Sequence, residues 1–274
     1  MATRDSYLKQ RKRRKLAKLL SLLGLLVLFG GLVYFLGFVK YFLVKNVDAG
    51  VEDSEKEKIT EALWNEMSTR KFGFIPGNNI LLFNKNKTSQ KLLENYPLFK
   101  SFGFVYDFQS QTLSAKGEIR KTALRLCQTS EAVEGIDGEV LVRLCFSVDE
   151  TGTAFYPNFE PENAFLIQDF SGRKMVLGKL YLSKEMVGFV SRFKELAQAT
   201  VPIRSGVIEK DYFEARFIKL ITEDGWFILS ELSLAPETVF ENMSLVLGKE
   251  LQGKFDGLEY LDLRYKDKAY YKLR

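Results

Sequence analysis

An apolar segment without any charged side chain, LLSLLGLLVLFGGLVYFLGFV, occupies residues 19–39. As an α-helix, a segment of about 21 residues would be about 31 Å long, which matches the hydrocarbon core of a bilayer. Such length without an amphipathic period is uncommon in the helices of soluble cores. The segment is therefore predicted to be a single transmembrane helix.

A cleavable signal peptide is the alternative interpretation of this segment. A signal peptide usually has an apolar region of about 7 to 15 residues, followed by a small-x-small cleavage site. Here the apolar run is longer and leads into Lys40, Tyr41 and Phe42, and Ala49-Gly50 is only a weak candidate for cleavage. We therefore expect a retained anchor.

The residues before the apolar segment are strongly basic. Residues 1–18 contain eight Lys and Arg side chains against Asp5, a net charge of +7, whereas the rest of the chain carries 32 basic and 34 acidic residues. Because Lys and Arg resist translocation, this asymmetry predicts a cytoplasmic N-terminus and an extracytoplasmic remainder. The run RKRRK could also bind nucleic acid or anionic lipid, but topology alone explains its position beside a membrane span. No nucleic-acid partner is expected.

The composition excludes several kinds of catalysis. The chain has no histidine, which removes Ser-His and Cys-His nucleophile pairs and most catalytic zinc sites. It also lacks a GxxxxGK[ST] phosphate loop and a GxGxxG phrase after a strand. We therefore expect no catalytic residue, no metal, no cofactor and no small-molecule substrate.

Four acidic residues keep an enzymatic alternative open. Asp149, Glu150, Glu160 and Glu162 could supply the carboxylate pair that glycoside hydrolysis requires. No substrate-groove pattern surrounds them, so turn residues are the favoured interpretation. The alternative function is a membrane-anchored envelope enzyme or a cell-wall polysaccharide-binding module.

The two cysteines, Cys127 and Cys145, lie in strand-like runs on either side of the polar stretch TSEAVEGIDG. A hairpin that turns near Gly135 to Gly138 would place them opposite each other on antiparallel strands. Outside the cytoplasm such a pair could form a disulfide. Two free, buried cysteines are the alternative.

The sequence from residue 40 to residue 122 predicts the element order strand, helix, helix, strand, strand. KYFLVKNVDAG indicates a short strand, and Ser54 and Glu57 have the spacing of a capping box at the start of a helix. A second helix is expected from about Thr88 to Asn95, because the following Tyr96-Pro97 would stop it. SFGFVYDF and QTLSAKGEIR then indicate two strands. This segment is predicted to be one small α/β module.

The sequence from residue 123 to residue 274 predicts a β-rich domain that also contains helices. RLCFSVDETGTAF indicates two strands joined by an Asp-x-x-Gly turn, and YFEARFIKLITEDGWFILSEL indicates a hairpin that turns at Glu223-Asp224-Gly225. A helix is expected from about Ser183, its cap, to Ala199. Pro236 is expected to open another helix that extends to about Leu251.

Phrases from both segments resemble the FtsQ/DivIB family of cell-division proteins. GNNILLFNKNKTSQKLLENYPLFKSFGFVYDFQSQTL resembles the family's POTRA domain, in which a Gly-Asn-Asn-Leu-Phe-like phrase precedes a helix that ends in Pro. The matching residues are Gly77, Asn78, Phe83, Pro97 and Leu113. RLCFSVDETGTAF resembles the hairpin that opens the family's β domain, and Asp262-Leu263-Arg264-Tyr265 resembles its closing DLRY strand. The chain departs from the family where Glu-Arg-x-Pro is usual, because only Arg120 of that phrase is present.

The resemblance implies an α+β protein with a basic cytoplasmic tail (1–18), a transmembrane helix (19–39), a POTRA-like module (40–122) and a β domain (123–274). It implies a non-catalytic divisome scaffold in the plasma (inner) membrane, enriched at the septum, which binds FtsB/FtsL-like bitopic proteins and links early to late division proteins.

The resemblance also places the partner at an exposed sheet edge near the last strand, where it would add a strand of its own. By position, the expected partner-binding residues are Tyr260, Arg264, Tyr265, Asp267, Tyr270, Tyr271 and Leu273. Because side chains alternate along a strand, at least one of Tyr270 and Tyr271 is expected to pack into the core. Asp262 and Arg264 share a strand face and are expected to pair with charges on neighbouring strands.

Overall fold

The structure is a computed structural model that describes residues 3–51, 53–68, 76–129, 133–135, 138–140, 143–157, 164–209, 216–252, 255 and 257–274. Glu160 and Glu162, two of the four carboxylates considered for hydrolysis, lie outside these residues. The side chain of Ser54, the expected helix cap, also lies outside the described part, and the helix itself begins one residue earlier, at Asp53.

The first helix, α1, extends from Thr3 to Phe38. Its section Arg14–Phe35 contains an 18-residue window with a mean hydropathy of 2.3, and none of that window is buried against the rest of the protein. Within the described residues, α1 is the one helix that is long and apolar enough to cross a membrane. The basic residues that precede the apolar segment continue the same helix.

The chain divides into two compact units. The first comprises Met1–Asn95 and Ser101–Glu118, and the second comprises Tyr96–Lys100 and Ile119–Arg274.

Beyond α1, the first unit has the order strand, helix, helix, strand, strand that the sequence predicts. Its elements are β1 (Asn46–Gly50), α2 (Asp53–Ser68), α3 (Lys85–Asn95), and all but the end residues of β2 (Phe99–Asp107) and β3 (Thr112–Ile119). The sheet order is β1-β3-β2, and β1 pairs in parallel with β3, from Asn46↔Thr112 to Gly50↔Lys116. Short 3₁₀ turns at Lys40–Phe42 and Ile80–Leu82 precede β1 and α3.

The apolar face of α2 covers this small sheet. Ile59, Leu63 and Met67 recur every four residues and are fully buried, together with Leu113 of β3. α3 begins at Lys85, three residues before the predicted start, because the Asn84 carboxamide accepts a hydrogen bond from the amide of Lys87 at 3.0 Å and so caps the helix.

The second unit is built on a nine-stranded mixed sheet. Its remaining strands are β4 (Leu124–Thr129), β5 (Val133–Gly135), β6 (Gly138–Val140), β7 (Arg143–Val148), β8 (Ala154–Pro157), β9 (Phe165–Phe170), β10 (Ile203–Glu209), β11 (Phe217–Thr222), β12 (Phe227–Glu231), β13 (Leu258–Tyr265) and β14 (Lys268–Leu273). The sheet order is β14-β13-β12-β11-β10-β9-β4-β7-β8, while β5 and β6 form a separate hairpin.

Two helices, α4 (Lys184–Ala197) and α5 (Pro236–Leu245), pack against this sheet around one apolar core. Phe193 of α4 and Trp226, just before β12, are among its largest fully buried side chains. The predicted cap is confirmed, since the Ser183 hydroxyl accepts a hydrogen bond from the Met186 amide at 3.2 Å. Pro236 opens α5 as predicted, and a π-helical turn at Val246–Glu250 follows it.

The β4–β7 pair carries the two cysteines directly opposite each other. Cys127 pairs with Cys145 in the ladder, and the β5–β6 hairpin turns between Gly135 and Gly138 as the sequence predicts. Of the two interpretations that the sequence left open, the structure has the disulfide.

Candidate partner-binding edge

The C-terminal hairpin forms one border of the nine-stranded sheet. β13 pairs in parallel with β12 and antiparallel with β14, in a register that joins Asp262 to Tyr270 and Leu261 to Tyr271. No strand among the described residues pairs with the outer side of β14. An edge strand of this kind offers amide and carbonyl groups to an incoming strand.

Buried contacts hold this hairpin in place. Leu258, Leu261 and Leu263 of β13 are almost completely buried in the core beneath the helices. The turn between β13 and β14 is fixed by α5, because the Asn242 carboxamide donates a hydrogen bond to the Lys266 carbonyl at 3.0 Å. The sequence did not indicate this role of Asn242 in supporting the edge, because a polar residue on a helix does not reveal which distant group it will hydrogen-bond.

The edge strand β14 is exposed on both faces. Ala269 packs partly against the core, but Tyr270 and Tyr271 expose 52% and 42% of their surface, and Leu273 exposes 52%. The prediction that at least one of the two tyrosines packs into the core is therefore wrong. Tyr271 does share the core-facing side with its fully buried ladder partner Leu261, but the packed core covers β13 and does not extend over this tyrosine.

The exposed rings group at the turn end of the hairpin. Tyr265 and Tyr270 meet edge-to-face with 5.6 Å between ring centroids, and Tyr265 is half-exposed. Asp267 lies in the two-residue turn and is exposed. Exposed aromatic and apolar side chains on an unpaired edge are typical of a protein-binding surface.

Arg264 is held by its own strand. Its guanidinium donates to both carboxylate oxygens of Asp262, from Nε to Oδ1 at 2.8 Å and from Nη2 to Oδ2 at 2.5 Å. Its Cζ also lies 4.9 Å from the centroid of the Phe217 ring. The sequence placed Asp262 and Arg264 on one face correctly, but it assigned their partners to neighbouring strands, whereas the two residues pair with each other.

Tyr260 is separate from the exposed group. Its half-buried ring stacks on Phe227 of β12 with 5.5 Å between centroids, and the Lys219 ammonium lies 4.2 Å from the centroid of Phe227. On the outer part of the hairpin, Lys272 pairs with Glu259 at 2.7 Å, and this hydrogen bond raises the pKa of the lysine. The structure thus gathers Tyr265, Asp267, Tyr270, Tyr271 and Leu273 at one exposed edge, with Arg264 beside it and Tyr260 in the sheet.

The carboxylates of the enzymatic alternative lie in the turn between β7 and β8. Asp149 Oδ1 accepts hydrogen bonds from the amides of Thr151 at 2.9 Å and Thr153 at 3.0 Å, and its Oδ2 accepts one from Arg120. Burial acts to raise the pKa of Asp149, but hydrogen bonds from the Thr151 hydroxyl, the Thr153 amide and Arg120 outweigh burial and hold it below the ordinary value. Glu150 pairs with Lys100 at 2.7 Å. These are the contacts of an Asp-x-x-Gly turn, with Gly152 at φ +88°.

No protein-family model and no curated protein matches the chain.

Proposed function

We propose that the chain is a non-catalytic scaffold of cell division, anchored in the plasma membrane by one span and similar to the FtsQ/DivIB proteins. The part of the chain after α1 would lie on the extracytoplasmic side of the membrane at the septum and would bind small bitopic partners that resemble FtsB and FtsL. The observation that carries the proposal is the β14 edge, which pairs with no described strand and exposes Tyr270, Tyr271 and Leu273.

The proposed topology has two supports. α1 is long and apolar enough to cross a bilayer, and its basic N-terminal section favours a cytoplasmic N-terminus. The disulfide between Cys127 and Cys145 favours an oxidising compartment for the second unit, because such bonds are rare in the cytosol. Both observations support an extracytoplasmic position for the β domain.

The proposed POTRA-like character of the first unit is supported by its topology. The unit contains a strand, two helices and a two-stranded hairpin. Its three strands form a sheet in the order β1-β3-β2, in which β1 pairs in parallel with β3. A fold of this kind does not define a function by itself. Its element order supports the proposal that this part of the chain is the POTRA-like module that the resemblance implies.

Strand addition gives the proposal its mechanism. A partner strand would use the outward amides and carbonyls of β14 for affinity, and alternate side chains would supply specificity. Tyr270 and the ring of Tyr265 would contact the partner on one face, and Tyr271 and Leu273 would contact it on the other. The buried anchors of β13 would keep the edge rigid, so that binding would not have to order it.

The envelope-enzyme alternative is the weaker proposal. Asp149 is enclosed by hydrogen-bond donors of its own turn and by Arg120, and Glu150 is paired with Lys100. A carboxylate whose oxygens are taken up in this way is poorly placed to accept a proton from a substrate.

Two proline variants test the strand-addition mechanism. Since backbone groups alternate along a strand, one of the amides of Tyr270 and Tyr271 faces β13 and the other faces outward. Proline at the outward position leaves the β13–β14 ladder intact but removes a donor for a partner strand. Each variant, Tyr270→Pro and Tyr271→Pro, is co-expressed at full length with the organism's own FtsB-like and FtsL-like proteins.

The proline variant that keeps the wild-type unfolding temperature is expected to lose capture of these partners. The matched control is threonine at the same position, which removes the ring but keeps the amide, and it is expected to retain more binding. A stable proline variant that captures the partners as well as the wild type would contradict the proposal.

A further inference from the structure

The turn between β2 and β3 lies beside the first residues that follow α1. The apolar segment ends at Val39, α1 itself ends at Phe38, and the 3₁₀ turn Lys40–Phe42 comes next. The Tyr106 hydroxyl donates to the carbonyls of Tyr41 at 3.0 Å and Leu43 at 3.2 Å.

Gln111 at the other end of the turn makes the second connection. Its carboxamide donates to the Lys40 carbonyl, and its own carbonyl accepts a hydrogen bond from the Lys45 amide at 2.9 Å. Gln111 is buried and has a φ of +54°, a conformation that these contacts hold. These hydrogen bonds therefore hold the β2–β3 turn against the residues that follow α1.

The direction of the strands agrees with this placement. β3 starts opposite Asn46 at Thr112 and runs parallel to β1, away from α1. β2 must then run toward α1, because a four-residue connection to β3 requires antiparallel pairing. The β2–β3 turn is the end of this hairpin that lies nearest to α1.

Two large aromatic side chains are exposed at this place. Phe108 exposes 56% of its surface and Tyr41 exposes 70%. The Phe108 ring packs edge-to-face on Tyr106, with 4.8 Å between centroids, and Tyr106 is the residue bonded to the Tyr41 carbonyl. The Asp107 carboxylate of the same turn accepts hydrogen bonds from the Gln109 amide at 2.9 Å and the Ser110 hydroxyl at 2.7 Å.

We propose that the β2–β3 turn docks on the lipid–water interface of the membrane through Phe108 and Tyr41. From Val39 to Tyr41 the chain advances at most about 7 Å, which is close to the thickness of one headgroup layer. The Tyr41 carbonyl, and with it the Tyr106 hydroxyl, therefore lies at headgroup level when α1 spans the bilayer. Aromatic side chains are enriched at this depth because their rings suit an environment that is apolar on one side and wet on the other.

The inference rests on the proposed membrane span of α1 and is independent of the proposed role in cell division. Its consequence is that the first unit would have a second, non-covalent attachment to the membrane beside α1.

Quenching of tryptophan fluorescence by brominated lipid tests this contact. The full-length chain is reconstituted in phosphatidylcholine–phosphatidylglycerol vesicles whose acyl chains carry bromine next to the headgroup. The probe is Phe108→Trp, and the unaltered chain supplies the background from Trp64 and Trp226. The matched control is Val105→Trp, because Val105 is 57% exposed on β2 but lies about 10 Å along the strand from Phe108 in the turn.

We expect the Phe108→Trp signal to be quenched about twofold or more relative to Val105→Trp, as suits a ring at the interface. Equal quenching of the two variants would overturn the proposal and would leave Phe108 available to a protein partner instead. Tyr41→Trp is a second probe that replaces Phe108→Trp if that variant does not fold. Tyr34→Trp in α1 must also be quenched, and its failure would overturn the membrane span together with this inference.

Discussion

Arg264 binds both carboxylate oxygens of Asp262, the residue two positions earlier on the same strand, at 2.8 and 2.5 Å. Asp262 is buried and Arg264 is half-buried, so the pair lies in the sheet beside the exposed edge. A fork-shaped guanidinium is required for this two-point contact. We interpret the pair as the support that fixes the backbone of β13 where it pairs with β14.

Replacement of Arg264 by lysine tests this support. We expect Arg264→Lys to lower the stability of the full-length protein by about 1 to 2 kcal/mol, because an ammonium group cannot satisfy both oxygens of a buried carboxylate. The measurement is the unfolding transition in detergent solution. The control is Lys266→Arg in the exposed turn, which is expected to change nothing, and equal stability of both variants would contradict the interpretation.

The Asp149 carboxylate is expected to make stability depend on pH. Its pKa is lower in the folded state than in the unfolded chain, so its contribution is present above the unfolded pKa of about 4 and is lost as the pH falls through the folded value. Asp149→Asn should therefore be less stable than the wild type at neutral pH, and this difference should shrink below about pH 4. Unfolding midpoints across this range check the sign, and a difference that is constant with pH would contradict it.

Removal of Arg120 should be more damaging than removal of Asp149. Arg120→Ala leaves a buried carboxylate without its cation, and breaking a buried pair in this way costs about 3 kcal/mol or more. Asp149→Asn retains an acceptor for the amides of Thr151 and Thr153, and the Arg120 side chain that it leaves unpaired is more exposed than the carboxylate, at 11% against 3%. The order of the two unfolding midpoints is the test, and the reverse order would show that Arg120 is not the main compensating charge.

The disulfide should contribute substantially to the stability of the second unit. Cys127 and Cys145 are 18 residues apart, and closing a loop of that length in the unfolded chain is worth about 3 kcal/mol in the chain-entropy account. The double variant Cys127→Ala/Cys145→Ala should lose about this amount, and dithiothreitol should lower the wild-type unfolding midpoint without affecting the variant. Insensitivity of the wild type to the reductant would contradict the bond.

Substitutions at two glycines with positive φ distinguish the cost of a steric clash from the cost of a left-handed backbone. A Cβ at Gly152 would lie 1.9 Å from the Leu182 carbonyl oxygen, whereas a Cβ at Gly172 would meet nothing within 4 Å. Gly172→Ala should therefore cost only about 1 kcal/mol for the left-handed backbone, and Gly152→Ala should cost considerably more. Comparable unfolding midpoints for the two variants would show that the segment near Leu182 can move.

Local patterns in the sequence predicted much of the fold. The Asp-x-x-Gly turn, the cap at Ser183 and the opposite placement of Cys127 and Cys145 depend on residues close in the chain, and the structure has all three. The position of Tyr271 could not be predicted in this way. Alternation along a strand assigns its face, but whether that face is covered depends on how far the packed core extends over the sheet.

Contacts between residues far apart in the chain could likewise not be predicted from the sequence. The contact of Asn242 with the Lys266 carbonyl joins a helix to a turn 24 residues later, and no periodicity indicates it. The Tyr106–Tyr41 contact, which carries the membrane-docking inference, spans 65 residues. Both contacts arise from the arrangement of whole elements rather than from any local propensity.

Hydrogen exchange of the full-length protein, with and without a bound FtsB/FtsL-like pair, tests the central claim most directly. If the partner adds a strand to the sheet, the outward amides of Lys268–Leu273 should become strongly protected on binding, because they would pass from water into a β-ladder. Partner binding that leaves exchange along β14 unchanged would contradict the edge as the binding site.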